Sequence, residues 1–250
     1  MITRALFTLF VVAGTIFAES PKLTITAAAD LKFCLDLLVQ DFKKSRPDAD
    51  IQVAYGSSGK AFTQLKQGAP FDLYFSADVE YPNKLVEAGL TSGKPRLYAL
   101  GRIVLWSAGE DASKLEIRDL ADPRFTKIAI ANPLHAPYGR RAEEALRRAG
   151  IWDKVQPRLV MGENIAQAAQ FVQSGSAPVG ILALSLVKSP AFAGQGYNLI
   201  PDSLHSPLEQ ALVVMKRAEK NTLAAQFVDY LFQQQARRIF ERYGFALPKD

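Results

Sequence analysis

Extended, β-branched runs alternate with segments of helical period along most of this chain, and that alternation limits its folds more than any other feature. LTITA (23–27) is followed by Leu31, Leu35, Leu38 and Phe42, whose spacing places all four on one helical stripe. IQVAY (51–55) precedes a helical stretch starting near Gly59, with Phe62 and Leu65 one turn apart. DLYFS (72–76) precedes another, in which Leu85 and Val86 fall before a Gly89 stop. Strands are expected again at IVLW (103–106), IAIA (128–131), RLVM (158–161), VGILA (179–183) and ALVVM (211–215). The pattern predicts an α/β architecture of mostly parallel sheets flanked by helices.

Two places read as crossovers between domains. LYALGRIVLWS is too long for an average strand and carries Gly101 in its middle; GYNLIPDSLHSPLEQALVV is a Pro- and Ser-rich loop feeding an extended run. With two crossovers, the middle segment is an insertion into a discontinuous first domain. The expected division is a leader at 1–18, one domain formed by 19–100 and 206–250, and a second formed by 101–205. No internal repeat or low-complexity stretch interrupts this plan.

The leader is read from MITRALFTLFVVAGTIFA, which joins an early arginine, an apolar run from Ala5 and a small residue at Ala18, ahead of the polar Glu19-Ser20. Its apolar run is too short to favour a membrane anchor, and no later segment approaches the roughly 18 uninterrupted apolar residues a spanning helix needs. The mature chain is therefore expected to be soluble and secreted. Cys34 is the only cysteine, so no internal disulfide can form, and its place on an expected helix reads as buried filler. The formal charge of +5, or +4 once Arg4 leaves with the leader, is spread along the chain and does not form the basic face that nucleic acid requires.

GSSGKA (56–61) looks like a phosphate loop and is not one. A P-loop needs four residues between its glycines and a Ser or Thr after the lysine, whereas Gly56 and Gly59 are separated by two and Ala61 follows Lys60. The esterase elbow G-x-S-x-G also fails, because Lys60 stands at its second glycine. What remains is a strand end, a small-residue turn and a helix start, with free N–H groups and the hydroxyls of Ser57 and Ser58. That arrangement binds oxyanions; the plainer alternative is an ordinary turn in which Ser58 caps the helix. Similar joints recur at Ala29-Asp30, at Pro137-Tyr138-Gly139 and at Asn164-Ile165. Four helix starts, two from each domain, would lie at the carboxyl ends of strands, where open α/β sheets bind ligands.

Other candidates carry less. Arg140 and Arg141 in a helix's first turn oppose its dipole, which hints at a nearby anion, although solvated arginines on a surface helix are the favoured reading of each taken singly. His135 and His205 show no metal-ligand spacing with carboxylates or Cys34. Asp78 reads as a helix cap, and Glu143-Glu144 as solvated helix surface.

In order and spacing, AAADLK, YGSSGKAFTQLKQGAPFDLYFSAD, NPLHAPYGRRAEEAL, APVGILALS and RYGF closely resemble the periplasmic molybdate-binding proteins that deliver substrate to ABC transporters. The resemblance spans nearly the whole mature chain. It implies a two-lobed, type II periplasmic-binding-protein fold with two hinge crossovers, closing around a molybdate or tungstate dianion held by hydroxyls and backbone N–H groups. It further implies a periplasmic binding protein rather than an enzyme, with no cofactor and no free metal cation. A membrane permease is the implied partner, and the implied state is a monomer. Carried over by position, Ser58 and Ser57, Tyr138 and the Ile165 backbone match ligand contacts. Ala29-Asp30 departs from the pattern, since relatives commonly place a hydroxyl or amide there, and Ala183 stands where some have a tyrosine.

Asp30 bears on the choice of anion. Molybdate at neutral pH offers only acceptors, so a carboxylate aimed at it repels, whereas hydrogen phosphate carries a proton that a carboxylate accepts. The favoured expectation is that Asp30 turns its oxygens back onto its own helix's N–H groups. Phosphate or sulfate remains the alternative ligand. A secreted hydrolase using Ser58 as nucleophile, or a sensor of the same ion, is the alternative function.

Overall fold

A computed structural model describes residues 22–192 and 195–248, so the leader expected at 1–18 lies outside the described residues. The strand–helix alternation is present throughout. The first segment runs β1 (Lys22–Ala28), α1 (Lys32–Phe42), β2 (Asp50–Gly56), α2 (Ser58–Lys66), β3 (Leu73–Ser76), α3 (Glu80–Glu87) and β4 (Arg96–Gly101). The middle segment runs β5 (Ile103–Trp106), β6 (Ile128–Ala131), α4 (Pro137–Arg148), α5 (Trp152–Val155), β7 (Leu159–Gly162), α6 (Ile165–Gln173), β8 (Val179–Ala183), α7 (Leu184–Val187) and β9 (Tyr197–Leu199). β10 (Leu208–Val214), α8 (Thr222–Leu231) and α9 (Gln234–Arg242) complete it.

These strands form two five-stranded sheets of identical plan, ordered β2-β1-β3-β10-β4 and β7-β6-β8-β5-β9. Three strands of each sheet pair parallel, as expected where a helix makes each crossover. The other two pair antiparallel, so each sheet is mixed. The reason is topological. β5 enters the second sheet straight from the first, β10 enters the first on the way back, and each slots in antiparallel beside the third parallel strand. The two sheets are the cores of two lobes, and the fold is α/β.

LYALGRIVLWS is two strands rather than one. Arg102 separates β4 from β5, and its Nε and Nη2 both donate to the Gly244 carbonyl, at 2.9 and 2.7 Å, pinning the crossover to the loop after α9. The second crossover, between β9 and β10, carries Arg141 Nε to the Pro207 carbonyl at 3.2 Å. β9 was not expected from the sequence; with three residues and Asn198 at its centre it has no apolar period to detect.

Burial explains the apolar runs. In the first lobe, Leu23, Ile25, Leu35, Leu38, Phe227 and Phe240 share one cluster, and Cys34 is buried within it as apolar filler. Tyr74, Leu85 and Val213 cover the sheet's other face. In the second lobe, Ile103, Leu105, Ile128, Ile130, Leu146 and Ile181 form the core, and Ala28, Ala29 and Ala77 of the first lobe pack into that same cluster. Among the described residues no helix is long and apolar enough to cross a membrane.

Phe227 is fully buried and meets Phe42 edge to face, with ring centroids 5.2 Å apart. Phe227→Ala is expected to lower stability by about 3–5 kcal/mol, seen as a lower urea midpoint with an unchanged slope.

Candidate functional site

The first N–H groups of a helix have no intrahelical acceptor, so a helix that starts at a strand's carboxyl end presents free donors there. Four such ends, and the turn after β3, meet between the sheets. β1 delivers Ala28, Ala29 and Asp30; β2 delivers Gly56, Ser57 and Ser58; β3 delivers Ala77; β6 delivers Ala136, Pro137 and Tyr138; β7 delivers Asn164 and Ile165. Together these residues line a small cavity of about 190 Å³. All six residues nominated from the sequence, Ala29, Asp30, Ser57, Ser58, Tyr138 and Ile165, are on its wall, and no Lys or Arg side chain is. Ala183 is buried at the start of α7 and is not on the wall.

Local structure fixes where the donors point. Ser58 is the first residue of α2 and does not cap it: its Oγ accepts the Ala77 N–H at 3.0 Å, while its carbonyl accepts from Tyr74 Oη at 2.8 Å. An accepted N–H leaves the Ser58 hydroxyl proton free to donate elsewhere. Ser57 is extended at the N-cap, and its Oγ lies 3.0 Å from His135 Nδ1. Asn164 caps α6 by accepting from the N–H groups of Ala166 and Gln167, both at 3.0 Å, which passes over the N–H of Ile165. Pro137 opens α4 without an N–H, so Tyr138 follows as its first donor.

Asp30 overturns the expectation that it caps its own helix. No side-chain cap is made there; Oδ2 instead accepts from Tyr138 Oη at 3.0 Å and from Gln210 Nε2 at 2.7 Å. Gln210 Oε1 in turn accepts from Tyr98 Oη at 2.8 Å, and Ser185 Oγ donates to the Asp30 carbonyl at 2.8 Å. The tight turn at Ala29–Leu31 carries the carboxyl into the contact between the lobes, where its side-chain donors come from elements distant in sequence. Oδ1 has no partner, and the residue is 1% exposed. Burial pushes this carboxyl up to about 7, against the opposing effect of the Gln210 and Tyr138 hydrogen bonds and, least, of its own backbone N–H.

Around the cavity the lobes are clasped. The Gly59 N–H donates to the His135 carbonyl at 2.9 Å, and a Cβ on Gly59 would stand 2.6 Å from Tyr81 Oη and 2.8 Å from that carbonyl oxygen. Lys60 pairs with Glu163 at 3.0 Å. Arg140 pairs with Asp78 and with Glu80, so it belongs to the clasp and neither faces the cavity nor is merely solvated. Arg141 pairs within its own helix, with Glu144 at 2.5 Å. Asp78 also accepts the Tyr81 N–H at 3.2 Å at the start of α3, the cap expected of it.

A larger hollow of about 880 Å³ lies in the second lobe, beside Leu115, Ile117 and Leu199. It gathers no converging helix starts, and its charged lining, Glu116 and Arg118, is solvent-exposed. The small cavity is the better site on chemistry rather than on size. Among the described residues no group of three or more His, Cys, Asp or Glu is placed to hold a metal ion. Gln210 and His135 were not nominated from the sequence. Gln210 did leave a trace, as a polar residue at an inward position of the otherwise apolar run LEQALVV, where Glu209 points out.

The family model described as bacterial extracellular solute-binding protein matches residues 23–246. The chain belongs to this family. Among the relatives of this solute-binding protein, the molybdate-binding protein ModA of Rhodobacter capsulatus is 36% identical over 198 residues, covering 78% of this chain and 77% of its own. ModA of Azotobacter vinelandii is 33% identical over 233 residues, covering 92% of each. The solved structure of the Azotobacter vinelandii periplasmic molybdate-binding protein superposes with a TM-score of 0.86 at 31% identity, covering 91% of this chain and 100% of that one.

The absence of a Cβ at Gly59 is what lets the two lobes of this solute-binding protein touch backbone to backbone. Gly59→Ala is expected to disfavour the clasped form by about 1–3 kcal/mol, the usual cost of overpacking. A dye pair placed across the lobes should then report a longer mean distance, and small-angle scattering a larger radius of gyration.

Proposed function

We propose that this protein captures molybdate, and tungstate with it, in the periplasm and hands the ion to the permease of an ABC transporter. The observation that carries this reading is the single cavity lined by helix starts from both lobes and by no cationic side chain. A fully ionised tetrahedral oxyanion has only acceptors, so a wall of hydroxyls and N–H groups complements it, with helix dipoles supplying the positive potential. Ser57, Ser58, Ala29 and Asp30 approach from the first lobe, Tyr138 and Ile165 from the second. The similarity to the two ModA proteins supports the choice of ion.

In this mechanism the lobes, 19–100 with 206–250 and 101–205, move about the two crossovers. Each holds half the donors when open; ligand completes the shell, and closure follows from its greater affinity for the closed form. The contacts of Gly59, Lys60 and Arg140 across the cleft close behind it. Hydrogen bonds to an ion contribute about 1.5–3 kcal/mol each, so several together support a submicromolar Kd after desolvation and closure. Sulfate carries the same charge and no proton, so its exclusion rests on cavity size. The protein works after removal of the 1–18 leader, as a monomer, without a cofactor and without bond-breaking chemistry. A hydrolase would need a base on the Ser58 hydroxyl, but the histidine at the cleft is bonded to Ser57 instead.

Calorimetry of the mature protein against molybdate, tungstate, sulfate and phosphate tests the reading. Submicromolar binding of the first two is expected, with the others weaker by a factor of about a hundred. Ser58→Ala removes one ionic hydrogen bond and is expected to weaken molybdate by roughly ten- to a hundredfold. A preference for phosphate would reject the ion, and no response to any of the four would reject the function.

A further inference from the structure

We infer that Asp30 enters the complex as a carboxylic acid whose Oδ1–H donates to a ligand oxygen, so that capture of a fully ionised tetraoxyanion takes up one proton. The inference rests on the proposed function and concerns the one carboxyl on the cavity wall.

The geometry divides the carboxyl into two unlike oxygens. Oδ2 is committed, accepting from Tyr138 Oη and from Gln210 Nε2 at 3.0 and 2.7 Å. Oδ1 is buried, has no protein partner and belongs to a residue on the cavity wall. A dianion in that cavity presents only acceptors to Oδ1. As a carboxylate, Oδ1 would set negative charge against negative charge in a water-poor space; as O–H it supplies a donor. Tyr138 and Gln210 both donate to Oδ2, so the proton has only Oδ1 to occupy.

The surroundings allow the protonated form near neutral pH. Burial already pushes the carboxyl up to about 7 without any ligand, and an adjacent dianion acts in the same direction. The groups facing Asp30 are Tyr138 from α4, Gln210 from β10, Ser185 from α7, and the more distant Tyr98 on β4 and Cys34 on α1. Burial holds the two phenols and the thiol well above their usual values, so they stay neutral across the range of interest. His135, on Ser57, is held below its usual value by burial and then by Lys60, against the opposing charge of Glu163. Because the complex carries a proton that the free site loses as pH rises past about 7, affinity must fall with rising pH.

The mature protein would be titrated calorimetrically with sodium molybdate from pH 6 to 9, in buffers of different ionisation heat. The expected result is a Kd that rises about tenfold per pH unit above neutrality, with uptake of about one proton per ion near pH 8. Asp30→Asn keeps an acceptor for Tyr138 and Gln210 and a donor for the ligand. It should remove the slope and the proton uptake, whatever its absolute affinity. The wild-type proton count decides the matter even if that variant fails to fold. A pH-independent Kd without uptake overturns the inference, as does a slope that persists in Asp30→Asn. Tighter binding of phosphate, lost in Asp30→Asn, also overturns it, since the carboxylate would then be accepting the ligand's proton. If no oxyanion binds at any pH, it is the proposed function that fails.

Discussion

Everything at the cleft depends on one property of the polypeptide: a helix cannot satisfy its own first N–H groups. Each parallel strand of both sheets ends where such a helix, or a turn leading to one, begins. The mixed topology stacks those ends opposite one another, and five of them line one small cavity. Asn164 shows how the donors are rationed. Its cap consumes the N–H groups of Ala166 and Gln167, the two that point along the helix, and passes over Ile165 on the wall. Ser58 shows the same economy in a side chain, accepting from Ala77 so that its own proton stays available.

The wall carries no cation because the basic side chains have been placed elsewhere. Lys60, Arg140 and Arg141, all within or next to wall-forming turns, are each drawn to a carboxylate outside the cavity. Two of these pairings cross from one lobe to the other, as does the Gly59 contact with His135. Lys60 and Arg140, cations that a local reading assigns to the ligand, therefore hold the lobes together. On the proposed function, separating those roles would let the site bind by donor geometry while closure draws on side-chain charge.

Much of the fold was legible from the chain. Strands covered by helices must be apolar along their length, so runs such as LTITA and VGILA announce themselves, and small residues after them mark the joints. Strand direction was not legible, because an apolar run has the same period whether its neighbour is parallel or antiparallel; β5 and β10 therefore looked no different from the rest. β9 was too short to show a period at all. At the site, Ser57, Ser58, Tyr138 and Ile165 could be named because a helix start is a local event. Gln210 could not, since its partners Asp30 and Tyr98 lie 180 and 112 residues away.

The sequence by itself determined where strands stop, where helices start, and that serine, alanine and glycine occupy those turns; these follow from burial and from nearest-neighbour backbone chemistry. Tertiary structure alone decided which turns face one another, which arginines leave the cleft, and what becomes of Asp30. By local rules that residue belongs to its own helix. In the folded chain Tyr138, 108 residues away, and Gln210, 180 away, take one oxygen and leave the other buried and bare, because hydrogen bonds formed in a dry contact outcompete a cap that water could have replaced.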